Sequence, residues 1–104
     1  MVRLPNSIEE SIKKFIDAVG RRYHINAAYL YGSQAKGTAK SWSDIDVAVV
    51  SSDFSDDLFE ERLALMHISA YIDDRIEPRP FNMETFNEND PIVWEIQQNG
   101  IQLL

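Results

Sequence analysis

Residues 31–50 read YGSQAKGTAKSWSDIDVAVV, and their reading decides the fold. An apolar run, Ala27-Ala28-Tyr29-Leu30-Tyr31, leads into Gly32-Ser33. After ten intervening residues Asp44 and Asp46 open a second run that is apolar from Val47 to Val50. The first run is short and stopped by a glycine, as a buried strand is. The second is β-branched and apolar without alternation, which suits a strand covered on both faces. In a strand, residues two apart share a face, with Cα atoms about 6.5–7 Å apart. Asp44 and Asp46 can therefore converge. Either they form a wet strand end facing solvent, or they hold metal ions, because two like charges that close repel unless a cation lies between them. A pair of Mg²⁺ ions about 3.5–4 Å apart would meet that need and would clamp a phosphoryl group.

Gly32 permits a tight turn with backbone close to a ligand. Ser33 adds a hydroxyl. Residues 33–40 can form a short helix, weakened by Gly37, whose first N–H groups suit a phosphate. Gly-Ser alone is a common strand-ending turn, and Asp-x-Asp alone is a common polar strand end. The information lies in their joint spacing.

The flanking sequence predicts a simple order of elements. Asn6 or Ser7 caps a first helix, with Ser7 and a following acid fitting a capping box. Ile8, Ile12, Phe15, Ile16 and Val19 recur on one face, and Gly20 ends it. Arg21 and Arg22 then complement the helix end. After a polar loop at 51–57, a helix from about Asp57 to Ile72 carries a stripe of Phe59, Leu63, Met66 and Ala70, widened by Leu58, Leu65 and Ile72. Arg75-Ile76-Glu77 predicts a short third strand, ended by Pro78 and Pro80. Met83–Glu88 suggests a helical turn. Asp90-Pro91 starts a last helix, with Asp as cap and Pro at the first helical position. Its apolar face is Ile92, Val93, Trp94 and Ile96, with Trp94 read as core. Ile101–Leu104 is a tail or a last strand.

The totals restrict function. At 104 residues the chain suits a single domain, 1–104. A net charge of −7 argues against free nucleic acid as the main ligand, since such binding rests on Lys and Arg. An acidic chain still binds a nucleotide where metal ions bridge carboxylates and phosphates. There is no cysteine, so neither disulfide nor thiolate chemistry is available. No apolar run reaches the roughly 20 residues of a membrane span, and the N-terminus lacks a secretory apolar region. A cytoplasmic protein is expected. His24 and His67 have no metal spacing and read as helix-end or core residues. Trp42, just before Asp44, is a candidate pocket wall or base-stacking residue, with packing the equal alternative.

Gly32-Ser33, the short helix and Ser43-Asp44-Ile45-Asp46 together resemble the signature of the polymerase-β-like nucleotidyltransferases, especially their minimal one-domain branch (MNT proteins). The resemblance implies an α+β nucleotidyltransferase fold, a small mixed β-sheet flanked by α-helices. It implies a third carboxylate on a later strand, where Glu77 is the best match, ahead of Asp73 and Asp74 at the helix end. Asp44, Asp46 and Glu77 would then be the catalytic and metal-binding set for two Mg²⁺ ions. Gly32, Ser33 and Lys36 would bind the nucleotide, with ATP as substrate. Many relatives carry Arg directly after Gly-Ser and again two residues later. Here these positions hold Gln34, which brings no charge, and Lys36, which reaches phosphate as a point charge without a fork. Lys40 reads as solvated, and Arg75 and Arg79 as surface-paired.

The resemblance also implies a role. Minimal nucleotidyltransferases are often paired with an all-helical HEPN toxin, to whose tyrosine they transfer AMP as antitoxins. The site should be open on one side, for such a partner to complete. The alternative is a binding module that neutralises a partner by docking alone. A third reading, an acidic surface on a structural domain, requires the whole motif to be coincidence.

Overall fold

The computed structural model describes residues 4–104. The elements run α1 (Asn6–Gly20), β1 (Ala27–Tyr31), α2 (Ser33–Lys36), β2 (Ile45–Val50), α3 (Leu58–Ala70), β3 (Ile76–Phe81), α4 (Pro91–Asn99) and β4 (Ile101–Gln102). The four strands form one mixed sheet in the order β3-β2-β1-β4. β1 is antiparallel to both β2 and β4, while β2 and β3 are parallel.

The unbroken apolar run of β2 is explained by its central place. Ile45, Val47 and Val49 face a core with Ile8, Ile12, Phe15 and Val19 of α1 and Leu65 of α3. Ala48 and Val50 face a second core with Phe81 and with Val93 and Ile96 of α4. Neither face of β2 meets water, so neither needs polar residues.

Four readings of the sequence are corrected. No side chain caps α1: Pro5 stands at the cap position, and its carbonyl accepts from Ile8 and Glu9 N–H at 3.1 Å each. β3 runs through both prolines instead of ending at them. It is an edge strand, and its inward ladder groups are the odd-numbered ones, since Arg75 and Phe81 carbonyls accept from Ile45 and Ser51. Pro78 and Pro80 fall on the alternate positions, where the missing N–H faces away from β2. Residues 83–88 form turns, held by Asn82 Oδ1 accepting from Glu84 and Thr85 N–H, rather than a helical turn. Trp94 is 58% exposed, because Val93 and Ile96 already take the inward face of α4.

The stripe read on α3 is also inverted. Leu65 is buried, with Leu58, Ile68 and Ile72 packed beside it. Phe59, Leu63, Met66 and Ala70 form the outer face, with Phe59 70% exposed. This helix is apolar on both sides, and periodicity alone does not choose which side packs.

The predicted cap Asp90 holds, and α3 is capped by Asp57, the residue at which its start was placed. Asp57 Oδ1 accepts from Glu60 N–H at 3.1 Å, and Asp90 Oδ1 from Ile92 N–H at 2.8 Å.

Candidate active site

The site begins at the end of β1. Gly32 has φ +71° and ψ −152°, a region in which L side chains are strained. An ideal Cβ there would overlap Asp46 Oδ2 and come within 3.3 Å of its Cγ. The glycine therefore does two things: it turns the chain, and it lets the Asp46 carboxylate lie against the backbone. α2 follows, and Gly37 at φ +76° closes it after four residues.

Register supplies the rest. Tyr31 lies opposite Asp46 in the β1–β2 pair, and Asp46 lies opposite Glu77 in the parallel β2–β3 pair. Tyr31, Asp46 and Glu77 thus form a row across three strands on one face of the sheet. Asp44 sits just before β2, exposed at its mouth. The structure sets Asp46 beside both Glu77 and the Gly32 turn, with Asp44 two residues before Asp46 at the strand's entrance. Asp73 is elsewhere: it takes a fork from Arg75 and a hydrogen bond from Ser11 Oγ at 2.8 Å.

The electrostatics of the row favour a cation. Burial pushes the Asp46 carboxyl above its ordinary range, and repulsion from Asp44, Glu77 and Glu95 pushes it further, with Arg79 opposing. Burial also raises the Tyr31 hydroxyl, against the nearby guanidiniums of Arg79 and Arg62. Among the described residues no three acid or histidine side chains converge as a ready metal cage. The donor set fits a hard divalent ion in type and charge, since it offers carboxylates under mutual repulsion. The rotamers must still turn inward to hold one.

Three site features were not legible in the sequence. Glu95 of α4 joins the acids and binds Lys36 Nζ at 2.8 Å. Arg62 of α3 approaches Glu77 at 3.6 Å. Gln34 is buried, its Nε2 donating to the Asp44 carbonyl at 3.4 Å, so it buttresses the loop that carries Asp44. Trp42 is 77% exposed and Lys40 is exposed. A cleft of about 450 Å³ lies behind α2, lined by Gln34, Gly37, Lys40 and Arg75 among others, and by none of Asp44, Asp46 and Glu77.

A turn held against one carboxylate, with a second acid across a parallel strand pair, makes this the candidate site. The profile of the family described as "Polymerase beta, Nucleotidyltransferase" matches residues 10–104, and the chain belongs to that family. Spectinomycin 9-adenylyltransferase of Staphylococcus aureus (strain Mu50 / ATCC 700699) is 30% identical over 95 residues, which is 89% of this chain. The chain spans 36% of the length of that relative.

Solved structures agree on the fold. A toxin–antitoxin complex with AMP-PNP superposes with a TM-score of 0.65 at 22% identity, covering 96% of this chain and 73% of that one. A nucleotidyltransferase-like protein from Sulfolobus solfataricus gives 0.58 at 16% identity, covering 98% of this chain and 89% of the other. A complex of tri-AMPylated Shewanella oneidensis HEPN toxin with MNT antitoxin gives 0.51 at 22% identity, covering 94% of this chain and 69% of that one.

Proposed function

We propose that this protein transfers AMP from ATP to a hydroxyl acceptor, a tyrosine of a HEPN-type partner, and so acts as an antitoxin. The observation that carries the reading is the Tyr31–Asp46–Glu77 row with Gly32 packed against Asp46. Gly32, Ser33 and Lys36 would receive the triphosphate. Asp44, Asp46 and Glu77 would hold Mg²⁺, which when bound supplies charge neutralisation on the phosphates. Glu77 would take the proton of the attacking hydroxyl. The new O–P bond forms at the α-phosphorus as the bond to the β-phosphate breaks, and pyrophosphate leaves. The like-charge crowding of Asp46 favours an occupied over an empty site.

A helical partner is supported by two things. Among the solved neighbours, an MNT antitoxin is bound to an AMPylated HEPN toxin. The outer face of α3 here exposes Phe59, Leu63 and Met66, an apolar stripe of the kind that marks protein contacts. No helix among the described residues is long and apolar enough to cross a membrane.

The docking alternative keeps one observation in its favour: Lys36 is already engaged by Glu95, and the acids do not yet converge. One experiment separates the two. The protein is incubated with α-labelled ATP, Mg²⁺ and a HEPN-type helical protein, with Asp44→Asn/Asp46→Asn as control. Label on the partner, absent with the double variant, supports transfer. Neutralisation of the partner that survives the double variant, with no label, supports docking.

A further inference from the structure

The cations near the acid row are not equivalent. Arg75 is held in a fork by Asp73, at 3.0 and 2.7 Å. Lys36 is held by Glu95. Arg62 and Arg79 differ from both. Each has a buried Nε with no hydrogen-bond partner among the described residues. The 3.6 Å approach of Arg62 to Glu77 is beyond hydrogen-bond length. Arg79 makes no ion pair within 4 Å among the described residues.

Both point at one place. Arg79 is two residues beyond Glu77 on β3 and shares its face of the sheet. Arg62 reaches Glu77 from α3. The positive charges of both oppose the rise that burial gives the hydroxyl of Tyr31, the residue opposite Asp46, and Arg79 is close enough to hydrogen-bond it. Two guanidiniums therefore flank the acid row, each with its Nε donor unused. Their planar forks match phosphate oxygens. A ligand carrying only a carboxylate would meet Asp46 and Glu77 unshielded, whereas a nucleotide brings divalent cations with it.

We propose that Arg62 and Arg79 form a phosphoryl-binding subsite that grips the nucleotide's α-phosphoryl group, supplying the arginine charge that Gln34 and Lys36 do not. The proposal rests on the nucleotidyl-transfer reading and extends it to two residues outside the motif.

The test is calorimetric titration of wild type, Arg62→Gln, Arg79→Gln, Arg62→Lys and Arg79→Lys with AMP-PNP, AMP and adenosine in excess Mg²⁺. Loss of one charge-assisted contact is expected to weaken AMP and AMP-PNP by roughly tenfold or more. Adenosine, which has no phosphoryl group, should bind each variant as it binds wild type. The lysine variants keep the charge without the fork and should fall between. They carry the same comparison should a glutamine variant fail to fold. AMP affinity within twofold of wild type in all variants overturns the subsite. So does an equal loss for adenosine, which would mark a structural role. Wild type that binds AMP-PNP with unchanged arginine variants sinks this inference alone. Wild type that binds none of the three sinks the nucleotidyl-transfer reading with it.

Discussion

Gly32→Ala tests the centre of the site directly, because its cost has two separable parts. The first is backbone strain. At φ +71° and ψ −152° the residue sits in a region that only glycine occupies freely. Placing a side chain there costs about 1–3 kcal/mol. The second part is steric, since the new Cβ would overlap Asp46 Oδ2. Asp46 is half-buried and flanked by Tyr31 and Glu77, so its carboxylate has little room to retreat. Overpacking of this kind costs about 1–3 kcal/mol. Together the loss should be about 2–6 kcal/mol, a large share of a small domain's stability. The steric part alone depends on Asp46.

Urea unfolding of wild type, Gly32→Ala, Asp46→Ala and the double variant forms a double-mutant cycle. The double variant should be less destabilised than the sum of the singles, by a coupling of about 1–3 kcal/mol. Gly37→Ala, at φ +76°, is the control. It should cost about 1–2 kcal/mol from its left-handed backbone and be additive with Asp46→Ala. Additivity of Gly32→Ala with Asp46→Ala to within about 0.5 kcal/mol would refute the packing of the turn against the carboxylate.

Other outcomes follow from the same structure. Asp46→Asn removes a carboxylate crowded by three others, so the metal-free protein should be more stable by about 0.5–2 kcal/mol at pH 7, read from its melting curve, while AMP-PNP binding is lost. Glu95→Gln should release Lys36 and tighten AMP-PNP binding a few-fold, in keeping with the roughly 0.2–1 kcal/mol of a part-exposed pair; weaker binding would show that Glu95 aims Lys36 rather than masking it. Asp73 is held well below the ordinary carboxylate range by the Arg75 fork and by Ser11. Its contribution should be complete above about pH 4, the usual carboxylate value, and lost as the pH falls below that. Asp73→Asn should therefore flatten the acid limb of the stability–pH curve. On α3, Leu65→Ala should cost about 2–5 kcal/mol and Leu63→Ala under about 1 kcal/mol, measured by thermal unfolding, because only Leu65 is buried.

How much of this was legible beforehand can be followed residue by residue. The strand–turn–strand unit, the amphipathic face of α1 and the cap Asp90 were readable, because each rests on neighbours in sequence. That Glu77 falls on a strand, with Asp73 and Asp74 before it, was readable from the break between helix and strand pattern. The course of β3 through Pro78 and Pro80 was not, since it depends on which edge of the strand faces β2. Nor was the packing side of α3, a helix with apolar residues on both sides.

By itself the sequence determined most of the elements and the acid pair at the entrance to β2, through short-range pattern and turn chemistry. Only the tertiary structure decided that Asp46 stands between Tyr31 and Glu77. A slip of one residue in the β2–β3 register would turn Glu77 to the opposite face of the sheet. The same is true of the groups that arrived from a distance. Glu95 came from α4 to hold Lys36, and Arg62 came from α3 to meet Glu77. No spacing in the chain announces such meetings, because they are set by how helices pack around the sheet.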